Sequence, residues 1–61
     1  MKMRLEIIEC DGKYLDTYGP TAEEITWTAD RAKAFKMGQI QAINRLKVVQ
    51  KFFPQATRRN F

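Results

Sequence analysis

The chain has no histidine and no serine, and Cys10 is its only cysteine. Without histidine it lacks the commonest neutral-pH general base and metal ligand. The absence of serine removes serine nucleophiles. One thiol can form neither an internal disulfide nor a zinc site. Cys10 lies between Glu9 and Asp11, and neighbouring carboxylates raise a thiol pKa, the opposite of what a reactive cysteine needs. It reads as a packing residue at a strand end. No glycine-rich phosphate loop is present, and no pattern places two carboxylates in one pocket. A chain of 61 residues seldom encloses a substrate pocket. These absences argue against an enzyme, and neither a metal nor a cofactor is expected. Acidic residues are missing from one half: Arg31 to Phe61 contains none. Long apolar runs are missing too. Nothing approaches the ~20 residues needed to span a bilayer, and Met1-Lys2-Met3-Arg4-Leu5-Glu6 brings charge where a signal peptide needs an apolar stretch. The lone thiol fits a reducing compartment, and the expected location is cytoplasmic.

What is present is the composition of a folded domain: 44% apolar residues, including Tyr14, Tyr18, Trp27, Phe35, Phe52, Phe53 and Phe61. The length gives one domain, 1–61, whose stability is marginal unless packing is tight or a second copy helps, so a homodimer is an option. The net charge of +4 conceals a division. Residues 1–30 carry three basic against seven acidic side chains, while residues 31–61 carry eight basic ones. A cationic half points to an anionic partner, or else to an acidic half that packs beside it and neutralises it.

Residues 3–10 read as a strand. Asp11-Gly12 is a hairpin signal, because glycine tolerates the positive φ of a tight turn, and 13–18 reads as the returning strand. A two-residue turn pairs Glu9 with Tyr14, and a three-residue turn flips the returning strand's faces. The favoured buried face takes Leu5, Ile7, Tyr14 or Leu15, and Tyr18, with the register open. Gly19-Pro20 ends the hairpin. Thr21–Glu24 is a polar connection or one helical turn, with Thr21 and Glu24 spaced as a capping box. Residues 25–28 read as a short strand placing Ile25 and Trp27 on one face.

The main helix is expected over about 30–53, with Thr28 or Asp30 capping its start and Pro54 ending it. Ala32, Phe35, Ala42, Ile43, Leu46, Val49 and Phe53 fall on one side and form the expected core stripe. Gly38 interrupts it, so a break near Lys36–Gly38 is an alternative, leaving a short helix and then a longer one. Residues 56–60 alternate weakly and form either an edge strand or a mobile basic arm. The fold class is therefore α+β: a small antiparallel sheet packed on one main helix.

Two readings of the helix surface follow. Lys33, Asn44, Lys47 and Lys51 share the face away from the core. Between that face and the core lie Met37, Gln41, Arg45, Val48 and Phe52. Val48 and Phe52, one turn apart beside Arg45, make a small apolar patch with a cationic rim, of the kind that marks a contact surface. With Lys47 and Lys51 these residues form a candidate partner-binding surface that steers toward an acidic protein. The alternative is nucleic acid, with Lys33, Lys36, Lys47, Lys51, Arg58 and Arg59 on phosphates and Asn44 reaching base edges.

The stretch Trp27-Thr28-Ala29-Asp30, followed by Ala32 and Phe35 and preceded by the Asp-Gly hairpin, resembles short orphan proteins of bacteriophage and prophage genomes. Those look like a hairpin, a tryptophan-bearing strand, a helix and often a last strand. Gly38 and the long basic second half depart from that pattern. The resemblance implies a small non-catalytic product that binds and modulates a host protein, and no site residue carries over.

Overall fold

The computed structural model describes residues 4–61. Met3, where the first strand is expected to begin, lies outside them. Among the described residues four strands and one helix make up the fold: β1 Glu6–Cys10, β2 Lys13–Thr17, β3 Thr26–Thr28, α1 Gln39–Phe52 and β4 Thr57–Asn60. Short 3-10 turns occupy Ala22–Glu24 and Arg31–Lys33. The sheet is antiparallel with order β3-β2-β1-β4, so the first strand is central and the last forms an edge. No helix among the described residues is long and apolar enough to cross a membrane.

The hairpin register follows from the turn. Asp11 and Gly12 both have positive φ, 52° and 79°. That combination makes a two-residue turn whose twist matches the flanking strands. Cys10 accordingly faces Lys13, and Glu9 faces Tyr14. This register corrects the favoured buried face. Ile8, Cys10 and Leu15 point to the helix and are buried, while Ile7 is buried on the opposite face and Leu5 is 38% exposed. Successive strand residues alternate faces, so Leu5, Ile7 and Leu15 cannot share one.

The core lies between the sheet and α1. Ile8, Cys10, Leu15, Ile25, Met37, Ala42, Val49 and Ala56 form it, with Tyr18, Trp27, Phe35, Leu46 and Phe53 packed at its margin. Burying each large aliphatic side chain here contributes about 1.5–3 kcal/mol. Trp27 closes one end against Phe53, ring centroids 5.2 Å apart and nearly perpendicular at 76°, the edge-to-face arrangement that aromatic quadrupoles favour. A bulge between Leu15 and Thr17 shifts β3 along β2. There Thr17 and Thr26 bring their hydroxyls to 2.7 Å. Gly19 is buried, and any side chain on it would overlap Glu24.

The helix begins at Gln39 rather than near Asp30. Of the two expected pieces only the second is an α-helix, and Arg31–Lys33 is a single 3-10 turn. Asp30 still caps that turn, its Oδ1 accepting from the Ala32 amide at 2.9 Å. Ala32 is exposed instead of joining the core stripe. Gly38 does sit at the break, as the N-cap of α1, but its φ is −71° and the space around it is open. A glycine-only conformation therefore does not cause the break. The cause is that the preceding backbone is bonded elsewhere. The Phe35 amide donates to the Leu15 carbonyl at 2.7 Å, the Glu6 amide donates to Met37 at 2.7 Å, and the Met37 amide donates back to Glu6 at 2.9 Å. Groups held in a sheet cannot also extend a helix.

Those three bonds explain why β1 and β2 pair only beside their turn. Beyond it the strands separate and residues 35–37 lie between them, bridged to Glu6 on one side and Leu15 on the other. Arg31, just upstream, lines a concavity with Ile7, Glu9 and Tyr14 on the face away from the helix. The helix, just downstream, packs on the Ile8 face. The connection thus passes through the sheet.

Candidate partner-binding surface

The outer face of α1 is set by helix geometry. Ile40 lies within about 20° of both Lys47 and Lys51 around the helix axis, with Asn44 beside them. The buried residues of α1, Ala42 and Val49, are on the other side. Asn44, Lys47 and Lys51 are exposed, and Ile40 is 77% exposed, the most open large apolar side chain of the described residues. The α1 sequence contains no carboxylate. An isoleucine thus stands in a stripe of amide and ammonium groups at spacing i, i+4, i+7, i+11.

The neighbouring patch expected from sequence is only partly assembled. Phe52 is 42% exposed and Val48 half-buried, and Phe52 shares a shallow recess with Cys10, Asp11, Phe53, Pro54 and Gln55. Arg45 is not its free rim. The guanidinium lies 4.7 Å from the Tyr18 ring centroid and 4.9 Å from that of Phe35, held between two aromatic faces. Met37, expected at the margin of the exposed face, is 1% exposed and part of the core.

The cations assigned to nucleic acid divide in the same way. Arg58 Nη1 meets Glu6 Oε1 at 2.9 Å, and Arg59 Nε meets Glu9 Oε1 at 2.7 Å. Strand pairing places both. Arg58 faces Ile8 and Arg59 faces Ile7, so each reaches the glutamate two positions along on its own side of the sheet, a diagonal cross-strand pair. Lys36 donates from Nζ to the Ala32 and Ala34 carbonyls at 2.9 and 3.3 Å and lies 4.6 Å from the Phe61 ring centroid. Lys33, Asn44, Lys47 and Lys51 are exposed. Among the described residues Lys33, Lys47 and Lys51 enter no ion pair.

Ile40 escaped the sequence reading, although its angular position beside Lys47 and Lys51 was available there. Burial raises the Cys10 pKa, with the charge of Asp11 and a hydrogen bond to it as lesser causes. Among the described residues no group of cysteine, aspartate and glutamate side chains is arranged to hold a metal ion. No protein-family model, curated protein or solved structure matches the chain.

Proposed function

We propose that this chain is a non-catalytic protein-binding domain that sets the outer face of α1 against an acidic partner. The observation supporting this reading is Ile40, 77% exposed among Asn44, Lys47 and Lys51 on a helix without a carboxylate. An exposed aliphatic side chain supplies an anchor, and the lysines around it supply steering and select against cationic surfaces. A second copy is a poor occupant, because a two-fold contact would set Lys47 and Lys51 against their own equivalents. The proposed setting is the cytoplasm, and in line with the resemblance to small phage proteins the partner would be a host protein.

Affinity capture with wild type and with Ile40→Asp and Lys47→Glu tests the proposal. The expected result is one acidic protein retained by wild type and lost by both variants. Once purified, that protein should bind with an affinity falling as salt rises, each variant losing about tenfold or more. Equal retention by all three proteins overturns the reading. Steep salt-dependent binding of duplex or single-stranded DNA, with no protein retained, replaces it with nucleic-acid binding through the same lysines.

A further inference from the structure

On the sheet face away from α1, Ile7, Glu9, Tyr14, Arg31, Arg59 and Asn60 line an open concavity of about 240 Å³. Four parts of the chain build it. β1 and β2 supply the floor, β4 one wall, and the 3-10 turn at Arg31 the other. Both arginines keep donors in reserve. Arg59 uses Nε on Glu9. Arg31 donates from Nη2 to the main-chain oxygens of Asn60 at 3.0 Å and Phe61 at 2.6 Å. Its planar head is fixed by those bonds and by the Phe61 ring, 5.3 Å away, with Nε and Nη1 left over. Among the described residues the Tyr14 hydroxyl has no hydrogen-bond partner. The one side-chain carboxylate present, Glu9, is already paired with Arg59.

We infer that this concavity binds a phosphoryl group. Its donors come from separate elements: two guanidiniums and a phenol. A planar carboxylate is satisfied by a single guanidinium fork. A tetrahedral dianion accepts from several directions at once. Arg31 is pre-oriented by its main-chain bonds, so little side-chain freedom is lost when the anion arrives. The site lies on the opposite side of the sheet from the proposed protein-binding face, and the two stand or fall separately.

A titration followed by amide resonances of the intact protein decides the matter, with chloride holding ionic strength constant. Inorganic phosphate and phenyl phosphate are the probes, and acetate is the control. Saturable shifts should be confined to residues 7, 9, 14, 31, 59 and 60. Arg59→Gln should weaken binding about tenfold, the equivalent of one charge-assisted hydrogen bond. Tyr14→Phe, which leaves the Arg59–Glu9 pair intact, should weaken it less, and both variants should keep dispersed native spectra. Tighter binding of phenyl phosphate identifies the source as an ester, and equal binding as free phosphate. The inference is overturned by shifts that stay linear to about 50 mM, by equal shifts at Lys47 and Lys51, by acetate matching phosphate, or by unchanged affinity in Arg59→Gln.

Discussion

The Arg45 guanidinium rests between the faces of Tyr18 and Phe35, and its charge is used inside the fold. Two ring contacts at these distances stabilise by about 1–2 kcal/mol together, and the methylene stem adds packing. Arg45→Ala should therefore lower the unfolding free energy by about that amount in urea titration while leaving partner capture unchanged. Ile40→Asp should do the reverse, since its side chain has almost no burial to lose. Phe52→Asp, at a residue 42% exposed, should leave the fold standing too. Cys10 makes a different kind of prediction. Burial and the neighbouring Asp11 push its pKa above the ordinary value of 9.0, so the folded state holds the thiol proton more tightly than the unfolded chain does. The associated stability is fully present below that pH and declines above it, as unfolded chains ionise first. Thiol labelling of native protein at pH 7 should be slower than labelling in denaturant, and chemical stability should begin to fall above about pH 9.

At the scale of elements, β4 is the one held mainly by polar bonds. All four of its residues are exposed. It attaches to β1 through the strand ladder, the pairs Arg58–Glu6 and Arg59–Glu9, and the Arg31 bonds to the Asn60 and Phe61 main-chain oxygens. The Arg59–Glu9 pair is open to solvent, with side-chain exposures of 65% and 22%, and such pairs contribute about 0.2–1 kcal/mol each. Raising salt from about 0.1 to 1 M shortens the screening length from about 10 to 3 Å. Amide exchange at residues 57–60 should accelerate under that change well before exchange at β1, whose anchorage is the apolar core. α1 presents the opposite case. Its inner side is secured by Ala42 and Val49 and its outer side is polar, so salt should alter what it attracts and not whether it stays.

For the molecule as a whole, much of the architecture was legible in the chain. The Asp-Gly turn announced the hairpin, the stretch around Trp27 its strand, though Ile25 caps the preceding turn instead of joining it, Pro54 the end of the helix, and the alternation after it the last strand, Thr57–Asn60. Each rests on local chemistry that a short window contains. The crossing at residues 35–37 did not, because its partners Glu6 and Leu15 lie far away in sequence and are reached by backbone groups common to every residue. The alternatives for charge were likewise settled by long-range pairing. Glu6 and Glu9 meet Arg58 and Arg59 across some fifty residues, so the two halves of the chain do neutralise one another at the sheet. Lys33, Lys47 and Lys51 enter no such pair. The helix outer face was half legible: the lysines were visible, whereas Ile40 reads as just another apolar residue until its burial is known. The phosphoryl concavity was illegible, since its six residues come from four separate segments.

The passage of the chain between β1 and β2 also sets an order of events. A hairpin closed along its full length would leave no opening for residues 35–37, so the two strands must remain parted until the connection is seated. The isolated peptide 4–18 has nothing to insert. It is expected to zip onward from the turn, bringing Ile8 opposite Leu15, a pairing the whole protein interrupts. In the intact chain the release of α1 is tied to the opening of the central strand. Amide protons of Phe35 and Met37, in a segment without regular structure, should exchange as slowly as those of β1, disappearing only with global unfolding. The crossing acts as a bolt: drawn last, it makes departure of the helix and rupture of the sheet a single event.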